Sequence, residues 1–169
     1  MAFVIENNVT VSFAEFQDVV NRDSRLFEAN EGLSDDIVEQ HLARATERIL
    51  DKLRATDWWK SYYARRNTDT TINTVADIPA LDPDRIIDRQ NDFTDLCVYT
   101  AMGEFILPSV ADFGREDSAE RQKMGYYIQK ADGLFGELIT AGDWYDFDDD
   151  ASISSSEKSP GQYNLKRVR

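Results

Sequence analysis

Val38, Leu42, Ala45, Ile49 and Leu53 follow one another at intervals of four, three, four and four residues, which draws a single apolar stripe along a helix. Ser34 can cap that helix, and Asp35 and Asp36 put negative charge in its first turn, where the helix dipole favours it. Arg44, Glu47, Arg48, Asp51 and Lys52 take the other faces. The pattern runs on through Trp58, Trp59, Tyr62 and Tyr63 to a basic end at Arg65-Arg66, and the polar stretch 67–80 reads as a loop. An element so clearly two-faced needs other apolar stripes to bury its own.

The rest of the chain supplies them. Before the helix, Phe3-Val4-Ile5 and Val9-Thr10-Val11 flank Asn7-Asn8, which suits a short hairpin or extended arm. Ser12 with Glu15 spells a capping box, and Phe13, Phe16 and Val20 continue at helical spacing. Asp82-Pro83-Asp84 reads as the start of a third helix, with Ile86, Phe93, Cys97, Ala101 and Phe105 on its buried face and Pro108 ending or kinking it. Asp117 and Glu120 form a further capping box. Met124, Ile128, Ala131, Phe135 and Leu138 then repeat until Ala141-Gly142. The expected fold is all-α: a helical bundle of three long helices plus one short N-terminal helix, led by an N-terminal extended arm or hairpin.

Residues 143–169 change character. Five aspartates between Asp143 and Asp150 are mixed with Trp144, Tyr145 and Phe147, and a serine-rich stretch leads to Lys166, Arg167 and Arg169. With no helical period, this stretch reads as an extended C-terminal tail that orders on a partner, its aromatics acting as anchors. The expected organisation is therefore a helical bundle domain over 1–142 and a docking tail over 143–169.

Charge narrows the function. The chain holds 19 Lys plus Arg against 32 Asp plus Glu, net −13. Most of that excess lies in 1–142, which carries 15 basic and 26 acidic side chains. Such a field argues against a broad face that grips nucleic acid or anionic lipid. No apolar run reaches the length of a membrane span, the start lacks the pattern of a signal peptide, and a single cysteine allows no internal disulfide. A cytosolic protein without membrane contact is expected.

Chemistry is sparse. His41 and Cys97 are the only His and Cys, and each reads better as a packed helix residue than as half of a nucleophilic pair. No phosphate loop, metalloprotease signature or nucleophile elbow is present, so no catalytic residue and no cofactor are expected. Asp146, Asp148, Asp150 and Glu157 do occupy positions one, three, five and twelve of a calcium loop, with Ile153 at eight. Against it, Ala151 stands where the sharp turn asks for Gly, Lys158-Ser159-Pro160-Gly161 cannot continue as a helix, and no second loop pairs with this one. The expectation is no metal site. For Trp58, Trp59, Tyr62 and Tyr63 two readings stay open, cover by the 67–80 loop or a subunit interface; stacking on bases is the weakest.

The run Asp35-Asp36-Ile37-Val38, Leu42, Ala45-Thr46 and Ile49, with the order of elements around it, resembles the head-to-tail connector, or adaptor, proteins of tailed bacteriophages. The match covers about residues 34–53. The resemblance implies a structural virion protein at the neck, present in host cytoplasm during assembly. It implies a homo-oligomeric, dodecameric ring beneath the portal protein, joined below by a tail-side neck or tail-completion protein. DNA would pass through without specific binding, beside carboxylates that repel phosphate. The tail would then dock on the portal, Trp144, Tyr145, Phe147, Tyr163 and Leu165 entering grooves while Lys166, Arg167 and Arg169 meet acidic patches. On that view, deleting 143–169 leaves the bundle folded. The alternative is a cytosolic acidic helical regulator that binds a protein partner through the same tail.

Overall fold

The computed structural model describes residues 3–7, 9–30, 32–66, 74–111, 119–155 and 157–158. It is mostly helical, with one small antiparallel sheet. The hairpin forms as its alternation suggests: β1 (Val4–Glu6) pairs with β2 (Val9–Ser12), and Asn7 takes a left-handed φ of 51° at the reversal. Two short helices follow, α1 (Phe16–Arg22) and α2 (Ser24–Ala29). Ser12 does not cap α1. It ends β2, and its hydroxyl bonds the backbone of Ala14, while Glu15 and Asp18 cap α1 reciprocally.

The stripe drives α3 (Asp35–Ala55), whose Val38, Leu42, Ala45, Ile49 and Leu53 are all buried. The helix does not run on through the aromatic cluster. Thr56 takes an extended conformation; its Oγ1 donates to Leu53 O and accepts from the Trp59 amide, so one side chain closes α3 and opens α4 (Asp57–Arg66).

Asp82-Pro83-Asp84 opens only a short 3-10 turn, Pro83–Arg85, with Asp82 Oδ1 accepting from the Asp84 amide. The longer helix begins later, at α5 (Gln90–Ala101), preceded by Arg89 at φ 54°. A π turn at Met102–Ile106 joins α5 to α6 (Leu107–Val110). Pro108 lacks the amide that would bond the Glu104 carbonyl, which accounts for a helix that widens there and continues rather than stops. Gly103 lies in the π turn because α7 (Ala119–Ala141) crosses there: a Cβ would stand 2.9 Å from Ile128 Cγ1.

On α7, Ala131 and Leu138 are buried as the spacing predicts, but Tyr127 turns inward and Ile128 is 40% exposed. Gly142 ends the helix at φ 57°. Asp117 of the predicted capping box lies outside the described residues. Among the described residues, no helix is long and apolar enough to cross a membrane.

Candidate functional site

The segment after Gly142 is built into the fold. Trp144 is fully buried, and Tyr145 and Phe147 nearly so. Ile86 and Tyr145 form an antiparallel bridge, the Ile87 amide donates to Trp144 O and the Asp146 amide donates to Arg85 O. Each ring's polar atom is answered where it lands: Trp144 Nε1 donates to Leu138 O at 2.8 Å, and Tyr145 Oη accepts from the Asp82 amide at 3.2 Å. Two arginines clamp the strand from outside. Arg89 Nη2 meets Asp143 at 3.1 Å and holds its carboxyl below the usual carboxylate range, while Arg85 Nη2 meets Asp149 at the same distance.

This placement resolves the aromatic cluster. Trp58 stacks on Trp144, Tyr62 lies flat on Phe147 at 3.8 Å between ring centroids, and Trp59 meets both Tyr145 and Phe147. Tyr63 packs edge-on to Trp59. The 67–80 stretch contributes Pro79, whose carbonyl accepts from Trp59 Nε1. Trp58 and Trp59 are thus core residues of the chain itself and are not free for a subunit interface, whereas Tyr62 and Tyr63 are half-buried. By the same geometry Trp144, Tyr145 and Phe147 are corrected from docking anchors to core: rings buried against α4 cannot also fill a partner's grooves. The division at 142 does not separate core from tail. Tyr163, Leu165, Lys166, Arg167 and Arg169 lie outside the described residues.

Directly beyond Phe147 the chain folds around three acids. One carboxylate oxygen each from Asp146, Asp148 and Glu157 falls within 4.8 Å of the others. Glu157 is 2% exposed and held on both sides: Oε1 accepts from the amides of Phe147 and Asp148, and Oε2 from Ser154. Asp146, equally buried, accepts from the Asp149 and Ala151 amides. Asp148 faces water. Desolvation and then the carboxylates of Glu157, Asp150 and Asp146 raise its pKa.

Ala151 overturns one objection raised by the sequence. It adopts φ 63°, the left-handed turn that the sixth loop position requires, without being glycine. Asp150 is not one of the three converging acids; its Oδ1 accepts from the Ser152 amide and hydroxyl. The donor set is all oxygen, which suits a hard cation such as calcium rather than zinc or copper.

His41 and Cys97 do not form a pair. His41 stacks on Phe105, and its Nδ1 is buried without a partner among the described residues; burial, then Arg44, lowers its pKa. Cys97 Sγ sits 3.4 Å from Thr46 Oγ1 and 3.5 Å from Leu42 O.

The N-terminal arm, a candidate for contact between subunits from its sequence, presents a second surface. β2 turns Thr10 and Ser12 inward and Val9 and Val11 outward, so Val9 and the neighbouring Ile5 are 56% and 60% exposed. The periodicity was visible, but its phase was not: Thr10 points in because its hydroxyl reaches Asp84 Oδ1 at 2.6 Å. Comparison with protein families, curated proteins and solved structures gives no match.

Proposed function

We propose that this chain is a structural subunit of a larger assembly, a head-to-tail connector that forms a ring under a phage portal and extends the DNA channel toward the tail. The observation that carries the reading is the exposure of three large apolar side chains on one short hairpin, Ile5, Val9 and Val11, on an otherwise acidic, mostly helical body. Clustered exposed apolar residues rimmed by polar ones are a feature of surfaces that meet another protein. The resemblance at 34–53 says which assembly, and the acid excess suits a body that stands beside DNA without holding it. The docking of 143–147 on a portal is withdrawn; any portal contact from this end falls to residues beyond 158. Mixing the purified chain with a portal ring and measuring mass and shape by native mass spectrometry and electron microscopy tests the reading. A ring seated on the portal is the expected result. A chain that never joins a portal overturns it.

A second reading concerns the loop 146–157, favoured by the convergence of Asp146, Asp148 and Glu157 and the left-handed turn at Ala151. In this reading the loop takes calcium and ties the 143–158 segment to the bundle, a structural rather than signalling role. Calorimetric titration of the chain with calcium tests it; absence of heat together with an unchanged melting temperature sinks it.

A further inference from the structure

Between the hairpin and the start of α3 lies an open groove of about 600 Å³. Val11 and Ala43 contribute apolar lining, and Glu6, Glu15, Asp36 and Glu39 contribute four carboxylates with no lysine or arginine in the lining. Among the described residues none of these four is ion-paired. Beside the groove, β1 pairs only with β2 among the described residues, so its other edge offers backbone donors and acceptors to an incoming segment.

The same chain carries a segment of complementary chemistry. Residues 159–169 contain Lys166, Arg167 and Arg169 and no acid, with Tyr163, Leu165 and Val168 among them. Residues 58–68 match this segment in charge, with Lys60, Arg65 and Arg66 and no acid, but their Trp58 and Trp59 lie in the core. In composition, three cations would match the four carboxylates of the groove, and three apolar side chains would match its Val4, Val11 and Ala43. Eleven residues beyond Lys158 reach at most about 36 Å, enough to leave one body for the next.

We propose that the groove between the hairpin and α3 receives residues 163–169 of a second copy of this chain. The contact is heterologous, one surface meeting a different one, so repeated copies generate a ring or a filament rather than a closed pair. The inference rests on the reading of the chain as an assembly subunit and names the contact between its copies. It also places Lys166, Arg167 and Arg169 on a sibling subunit instead of on a portal.

The test is sedimentation velocity of the full chain at low and high salt, with two charge-reversed variants whose fold is checked by circular dichroism. One carries Lys166→Glu, Arg167→Glu and Arg169→Glu; the other carries Glu6→Lys and Glu39→Lys, both at exposed sites. Expected are self-association of the parent that weakens about tenfold as salt rises, and loss of association in either variant alone. Mixing the two should restore it, since an acidic segment then meets a basic groove. A monomeric parent overturns the inference, as does association untouched by reversing 166–169, or failure of the mixture to recover. Portal capture that depends on Lys166, Arg167 and Arg169 while self-association does not also overturns it. Restored mixing by a chain that joins no portal would leave this contact standing and remove the connector reading instead.

Discussion

The indoles of Trp58 and Trp144 stack with ring centroids 4.6 Å apart and 28° between planes. One belongs to α4 and the other lies past the end of α7, so the pair joins the aromatic cluster to the segment that follows the last helix. Phe93 meets Trp144 edge-on from α5, which brings a third helix into the same contact. The segment is therefore part of the core.

Trp144→Ala should cost about 3–5 kcal/mol, the range for emptying a fully buried indole. A chain ending at residue 142 should lose its cooperative unfolding transition, because Trp58, Trp59 and Tyr62 would be uncovered together. Urea denaturation followed by tryptophan fluorescence measures both. A truncated chain with the parent's midpoint would show that the segment only decorates the bundle.

How much of this was legible beforehand varies by element. The stripe of α3 was readable residue by residue, since each of its five apolar positions is buried. The hairpin was announced by Asn7. Thr56 was not, because its side chain mimics the backbone of a turn and leaves the apolar period intact. The start of α5 lies seven residues beyond the Asp82-Pro83 signal, since Asp82-Pro83 caps a 3-10 turn just as well as a helix. Trp144, Tyr145 and Phe147 read as a partner's anchors because an irregular segment shows no period. Their burial depends on rings on α4 more than eighty residues away, which no local pattern encodes. The acid loop was readable in its spacing, yet the conformation of Ala151 was not.

Glycines separate close approach from open space. At Gly142 an added Cβ would lie 2.5 Å from Lys158 O and 2.9 Å from Trp58 Nε1, at φ 57°. Gly142→Ala should therefore destabilise by about 2 kcal/mol or more, strain and contact acting together. Gly133, inside α7, has nothing within 4 Å of its Cβ position. Gly133→Ala should stabilise by roughly 0.5–1 kcal/mol through helix propensity. Opposite shifts of melting temperature are the expected result; a shift in the same direction would contradict the packing at Gly142.

Cys97 is fully buried, and desolvation pushes its thiol up to about 11 against a modest opposing pull from Thr46. The folded chain should resist an aromatic disulfide reagent at pH 8 and react in full once unfolded. The sign for stability follows from the raised value. The thiol is neutral in both states below pH 9, so its contribution is fully present there. As pH climbs from about 9 toward 11 the unfolded chain releases this proton first, and stability falls. Cys97→Ala should flatten that part of the pH profile in chemical denaturation.

Ala151 connects loop strain to cation binding. A non-glycine residue at φ 63° costs on the order of 1 kcal/mol, and the neighbouring Asp149 adopts the same φ. Ala151→Gly should raise stability by about 0.5–1 kcal/mol without metal and, if the loop takes calcium, tighten binding several-fold, because the turn is then adopted without strain. Glu157→Gln should act the other way. It keeps the shape but removes the charge that accepts three amides and faces Asp146 and Asp148. Without calcium the loss of like-charge crowding partly offsets the weaker hydrogen bonds; with calcium the parent and Ala151→Gly should gain stability and Glu157→Gln should not. Melting curves of the three proteins with and without millimolar calcium decide between these. A parent and an Ala151→Gly variant both indifferent to calcium would leave Asp146, Asp148 and Glu157 as a purely hydrogen-bonded turn.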